Sequence, residues 1–257
     1  MNGVDAMNPI PFVEQFHLLF LAQLGRRVNP SLYVLRGGCN LRFFHSSVRF
    51  SEDMDLDLGT VGADTFRDKV REVLASRPFA QILEARGIGI DRVSAPKQTE
   101  TTQRWKLGLR VDGATAPLPT KIECSRRGLD DGVTFGSVDP QIARVYRLPP
   151  LMVSHYNAAA ALRQKIGALA GRRQPQARDV FDVHHLLSAG ARLADGPEIS
   201  RDTVERACAN ALAVDFGTFK SQVLAYLEPA DHAHADSPEI WDRIVLEVMD
   251  ALRGGRS

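Results

Sequence analysis

Asp53, Asp55 and Asp57 occupy every second position of the stretch DMDLDL, and Gly37 and Gly38 precede them in VLRGGCNL. On a strand, residues two apart share a face, so this spacing sets three carboxylates in a row and turns Met54, Leu56 and Leu58 to the core. Carboxylates crowded on one face repel each other and take up protons unless a cation is near. Hard divalent cations such as Mg²⁺ recruit one or two carboxylates together with substrate phosphates. Two such ions clamp the attacking and leaving oxygens of a phosphoryl transfer. A glycine pair between a strand and a helix lets backbone N–H groups and the helix N-terminus hold an anion without side-chain clash. The two features together read as a phosphate cradle facing a metal site. Downstream, Lys121 and Glu123 of TKIEC share one face of another strand, which makes Glu123 a candidate third carboxylate.

Blander readings compete. A solvated edge strand uses charge to block aggregation, a lone glycine pair is also what a plain turn looks like, and glutamates usually sit at the surface. An EF-hand loop beginning at Asp53 fails, because its sixth position needs glycine and holds Leu58.

The elements that must carry these residues follow from periodicity. Phe12, Phe16, Leu19 and Phe20 form the apolar face of an amphipathic helix ending near Gly25. LYVLRGG reads as a short buried strand closed by the glycine turn, and CNLRFFH as a helix opening after it. Residues 64–77 predict a helix with Asp64 as N-cap and Phe66, Val70, Val73 and Leu74 inward. Residues 102–111 and 117–125 are strands joined by DGATAP. After the tandem Pro149-Pro150 the texture becomes helical and no strand signal returns. The expected organisation is α+β, with a helix-and-strand domain over 1–150 and a helical domain over 151–257.

Bulk properties set limits on function. The 257 residues bury a sizeable core, and 44% hydrophobic with 25% charged residues is ordinary for a globular protein. A net charge of +1 gives no global basic field, so nucleic-acid binding would rest on local clusters such as Arg26-Arg27, Arg126-Arg127, Arg172-Arg173 or the cations of 104–110. Cys39, Cys124 and Cys208 are odd in number and widely spaced, which supports neither a zinc knuckle nor a disulfide framework. The N-terminus lacks the order of a secretory signal and no stretch reaches membrane-spanning length, so a cytoplasmic location is expected.

The pattern of an apolar strand, Gly-Gly, a short helix, a D-x-D strand and a later acid resembles the nucleotidyltransferase superfamily. More narrowly, VLRGGCNLRFF followed by RFSEDMDLDL is similar to the AbiEii/AbiGii toxin family, with its GG-T-x-L turn and R-x-S-x-D-x-D strand. A second block, KIGALAGRRQPQARDVFDVHHLL, matches that family on Lys165, Ala168, Leu169, Arg172, Arg178, Asp179 and Asp182. The resemblance covers about residues 12 to 190. It implies a nucleotidyltransferase-like mixed sheet flanked by helices. The implied activity is Mg²⁺- or Mn²⁺-dependent transfer of NMP from an NTP to an acceptor hydroxyl, RNA and notably the tRNA 3′ end, with release of pyrophosphate. It also implies the toxin half of a toxin–antitoxin or phage-defence pair, with a cognate antitoxin. Asp53 and Asp55 fall on the metal-binding pair, two and four residues after Ser51, with Glu123 as third acid and Asp57 as a supporting neighbour. Gly37, Gly38, Asn40, Arg42 and Ser51 would line the nucleotide, Lys165 would reach its phosphates, and Asp179 would act beside it. Read from the residues alone, Lys165 and Asp179 are equally well structural or solvated positions on helices, and His184-His185 point to different sides of one helix. Cys39 stands where the family has a hydroxyl residue, and a thiol is a poor donor to phosphate. A catalytically silent nucleotide- or RNA-binding module is the alternative, disfavoured by the intact Asp53/Asp55 pair. A metal nuclease is disfavoured because D…E-x-K is reversed here into Lys121-x-Glu123.

Overall fold

A computed structural model describes residues 9–126, 128–195 and 197–254. Within the chain, residues 1–39, 50–129 and 135–155 form one compact unit, and residues 40–49, 130–134 and 156–257 form the other.

The first unit is built on a sheet of order β3-β4-β5-β2-β1-β7-β6. Its elements are α1 (Ile10–Leu24), β1 (Tyr33–Arg36), the start of α2 (Gly37–Phe44), β2 (Asp53–Leu58), α3 (Ala63–Leu74), α4 (Arg77–Glu84), β3 (Ile88–Gln98), β4 (Thr102–Val111), β5 (Leu118–Ser125), β6 (Val133–Ser137), α5 (Pro140–Val145) and β7 (Met152–Tyr156). β1 and β2 are antiparallel, β2 and β5 parallel, and β3, β4 and β5 form an antiparallel meander. Alternation dictates the two faces. Met54, Leu56, Trp105, Leu107, Leu109, Ile122 and Cys124 are buried on one of them. That face carries the helices: His17 of α1 lies 2.8 Å from the Thr120 hydroxyl, and Gln103 donates to the Ala63 carbonyl at the start of α3.

Three expectations change here. α1 is buried all round, polar residues included: Glu14 accepts a 2.9 Å bond from the Tyr146 hydroxyl, so this helix is a core element rather than an amphipathic surface one. The N-cap of α3 is Gly62, with Asp64 one residue inside the first turn, where its charge still favours the helix dipole. A strand does return after the prolines: β7 lies parallel to β1, with Leu35 opposite His155.

The second unit is helical: α6 (Ala158–Gly171), α7 (Ala177–Ser188), α8 (Arg201–Leu212), α9 (Phe216–Gln222), α10 (Pro229–Ala235) and α11 (Pro238–Gly254). Leu162, Ile166 and Leu169 of α6 share one core with Val183 and Leu186 of α7 and with Trp241, Val248 and Leu252 of α11. Trp241 stacks on Phe219 at 4.5 Å, and its indole N–H donates to the Val214 carbonyl. Among the described residues no helix is long and apolar enough to cross a membrane.

Candidate active site

β1 ends at Arg36 and the chain turns directly into α2 through Gly37, whose φ of +67° lies in the left-handed region. Glycine is required there twice over. An L side chain would be strained, and a Cβ at this position would stand 2.8 Å from Oδ2 of Asp55. The missing side chain lets the Asp55 carboxylate lie against the start of the helix, where the first turn's N–H groups have no partner within the helix.

Parallel pairing of β2 with β5 sets Asp53 opposite Lys121 and Asp55 opposite Glu123. These four side chains share the sheet face that the helices leave open. Lys121 Nζ lies 3.1 Å from Asp53 Oδ2 and 3.5 Å from Glu123 Oε2, and Arg104 Nε donates to Glu123 Oε2 at 2.7 Å. Burial pushes the Asp55 carboxyl up, against the pull of Lys121 and Arg36. Glu123 goes the other way: burial raises it, but the Arg104 hydrogen bond and the Lys121 charge prevail and hold it below the usual range. Asp57 is nearly fully buried and accepts a 2.9 Å bond from Arg36 Nη1. This makes it a holder of Arg36 at the strand end beside the glycine turn.

Behind this face, the start of β2 is pinned by its carbonyls. Ser51 Oγ donates to the Asp53 carbonyl at 2.8 Å, and the Cys39 thiol faces the same carbonyl at 3.3 Å. Thr120 donates its hydroxyl proton to the Glu52 carbonyl, so it accepts from His17, which must carry its proton on Nε2. His17 Nδ1 is then an acceptor, 3.5 Å from Cys39 Sγ. Burial lowers the His17 pKa to about 3 and raises that of the Cys39 thiol. The residue that replaces the family's hydroxyl is therefore turned into the core as a neutral thiol, braced against the strand that carries Asp53.

The other expected residues lie in the second unit. Asn40 is buried and donates to the Tyr156 carbonyl at 3.1 Å, and Arg42 donates to the Ser47 carbonyl at 3.0 Å. Lys165 Nζ lies 2.6 Å from Asp182 Oδ2 and 3.6 Å from Asp179 Oδ1. Both aspartates are fully buried on α7. Arg49 grips Asp182 bidentately, with Nη2 2.9 Å from Oδ2 and Nε 3.1 Å from Oδ1, and Arg172 pairs with Asp179. Burial raises the Asp182 carboxyl, but the charges of Arg49 and Lys165 prevail and bring its pKa to about 2. Arg49 begins the R-x-S-x-D-x-D stretch and Asp182 ends the R-D-x-x-D block, so the two blocks are joined by a buried ion pair. The signal for it was that Asp179 and Asp182 share a helix side with the buried Val183 and Leu186 at spacings of three, four and seven.

His184 pairs with Glu247 at 2.8 Å and His185 lies 2.7 Å from the His45 carbonyl, so each takes a structural part. Arg126 is spent on the Val61 carbonyl and the Gln103 amide oxygen, and Arg127 lies outside the described residues.

A hard divalent cation fits the Asp53–Asp55 pair in donor chemistry. Both ligands would be carboxylate oxygens, and a cation there would relieve the burial that raises Asp55. Among the described residues no three His, Cys, Asp or Glu side chains converge to hold a metal by themselves, and Glu123 is engaged by Lys121 and Arg104.

The sequence matches the family described as "Nucleotidyl transferase AbiEii toxin, Type IV TA system" over residues 19–252. Several solved structures are similar. A candidate nucleotidyltransferase from Helicobacter pylori superposes with a TM-score of 0.56 at 17% identity, covering 99% of this chain and 96% of its own. JHP933 from the same organism gives 0.54 at 16%, covering 95% and 91%. MenT4, a nucleotidyltransferase toxin of Mycobacterium tuberculosis, gives 0.56 at 16%, covering 97% and 94%. At such identities the likeness carries the fold alone. No curated protein sequence matches significantly.

Proposed function

The chain belongs to the AbiEii nucleotidyltransferase toxin family, and from that premise we propose that it transfers NMP from an NTP to a hydroxyl of RNA, foremost the tRNA 3′ end. The observation that carries this reading is the Asp55 carboxylate lying against the Gly37 turn, with Asp53 beside it on the same face. Gly37 and Gly38 offer the donor phosphates the N–H groups at the start of α2. When held by Asp53 and Asp55, Mg²⁺ or Mn²⁺ supplies Lewis-acid stabilisation of the phosphoryl oxygens. The acceptor hydroxyl oxygen bonds to the α-phosphorus and gives its proton to solvent, as the bond from the α-phosphorus to the bridging oxygen breaks and its electron pair leaves with pyrophosphate. Glu123 serves as the third acid by holding Lys121 and Arg104 at the reacting face, where their charge counters that of the phosphates. In the second unit, Asp179 and Asp182 hold Lys165 as a cation for an anionic substrate group. A cognate antitoxin is the expected protein partner.

The test is label transfer from each α-labelled NTP, with Mg²⁺, to total cellular RNA. Label on RNA that is lost in Asp53→Ala and Asp55→Ala is expected. Label appearing only on protein, or on nothing with any NTP, refutes the RNA reading.

A further inference from the structure

The open face of the sheet extends well beyond the carboxylates. On β4 the residues alternating with Trp105, Leu107 and Leu109 are Arg104, Lys106, Gly108 and Arg110. Strand pairing aligns them in rows: Ser94, Lys106, Lys121 and Asp53 form one, and Lys97, Arg104, Glu123 and Asp55 the next. Arg92 stands opposite Gly108. Asp53 and Asp55 thus lie at one end of a face whose β3 and β4 positions are cationic, and a cleft of about 470 Å³ runs from Glu52 and Asp53 to Arg92 and Lys106.

Glu123 and Asp53 hold Arg104 and Lys121. Arg92, Lys97, Lys106 and Arg110 are exposed and make no ion pair among the described residues. The Asp91 carboxylate, whose Oδ2 would lie 4.0 Å from a Cβ at Gly108, offsets part of this charge, yet the four cations still crowd one face, and a polyanion relieves their repulsion. Three strand spacings separate β2 from β3, about 14 Å, so the face is too wide for one phosphate and suited to a run of them. None of the β3, β4 or β5 residues on it is aromatic, so it offers no platform for stacking bases.

We propose that this face binds the sugar-phosphate backbone of a single-stranded nucleic-acid acceptor and leads its terminal hydroxyl to Asp53, contacting phosphates through Arg92, Lys97, Lys106 and Arg110 without reading bases. The donor phosphates lie on the other side of β2, at the Gly37 turn. The role of the bound strand as acceptor rests on the nucleotidyl-transfer reading; its binding does not.

Fluorescence anisotropy of a labelled, mixed-sequence single-stranded RNA, titrated with the full chain across a salt series, tests this. Each single-strand phosphate contact contributes about 0.7 to the slope of log affinity against log salt. Arg92→Gln/Lys106→Gln should flatten the slope by about 1.4, which is about 25-fold weaker binding at 0.1 M salt on the same relation. Arg201→Gln, at an exposed position of α8 in the second unit, should change nothing. In the transfer assay the double variant should raise the KM for RNA while kcat and NTP affinity hold. Unchanged RNA affinity and slope in the double variant, or no RNA binding by the wild-type chain, overturns the inference even if transfer proceeds. Polyglutamate binding as tightly as RNA, with the same loss in the double variant, assigns the face to acidic protein and also overturns it. Weakened RNA binding in the variant, with no transfer by the wild-type chain, sustains the surface and sinks the transfer reading instead.

Discussion

Gly37→Ala isolates the contact on which the catalytic geometry rests. At φ +67° an alanine pays about 1–2 kcal/mol for left-handed backbone. Its Cβ would also stand 2.8 Å from Asp55 Oδ2 and 3.6 Å from Asp55 Cβ and Cγ. The short contact forces the carboxylate off its rotamer, about 0.5–1.5 kcal/mol more. The expected total is about 2–3 kcal/mol, a melting-point loss of roughly 4–12 °C for a chain of this size. The two parts separate in a double-mutant cycle. In an Asp55→Ala background the oxygen is gone, so Gly37→Ala should cost only the backbone term, about 1–2 kcal/mol. Urea unfolding of the four proteins measures this. An equal cost in both backgrounds would mean that Asp55 does not approach the turn, and a negligible cost in either would mean that residue 37 is not left-handed.

Three further outcomes follow from the charges. Asp55→Asn should abolish transfer yet melt higher than the wild type near neutral pH, because burial raises the Asp55 pKa and its ionised form opposes folding; the gap should shrink as pH falls through that raised pKa. A variant that melts lower at pH 7 would contradict it. Arg49→Met removes a cation from the fully buried Asp182, at a cost of about 3 kcal/mol in urea unfolding. Because the Asp182 pKa is depressed to about 2, its roughly 2–3 kcal/mol of stability is present above pH 4 and lost as pH falls through 2. His17 has a folded pKa of about 3 against about 6.5 unfolded, so stability should drain away as pH falls from 6.5 toward 3. His17→Gln should flatten the melting profile across that window, and an unchanged profile would show that His17 titrates freely.

How much of this was legible in the sequence depended on whether a residue's setting is local. β2, β4 and β5 announce themselves by strict alternation, and with them Asp53, Asp55 and the shared face of Lys121 and Glu123. β3 does not, because it is an exposed edge strand with Pro96 and two register shifts. β7 is five residues long and owes its form to β1, a partner some hundred residues upstream. Lys121 as the bridge between Asp53 and Glu123 needed the β2–β5 register, which no periodicity in either strand specifies. Cys39 read as a gap in a phosphate site because its side-chain direction depends on His17, which sits inside a helix buried on every side. Asp179 stayed undecided between a structural and a solvated position, and Asp182 was only a position of the second block, because the partner that settles it, Arg49, lies 133 residues away in the chain.

The grouping of residues 40–49 with the C-terminal helices bears on how the chain is made. Most of the sheet unit is complete once residue 155 has emerged from the ribosome. Arg49, however, stays without its carboxylate until Asp182 has been translated, and the core that holds Leu41 waits for Trp241 and Leu252. Leu41 and Arg49, both in the segment after the glycine turn, are thus among the last residues to find their partners. A ribosome that stalls in the final third of the message leaves the carboxylate strand synthesised but the helix beside it unanchored.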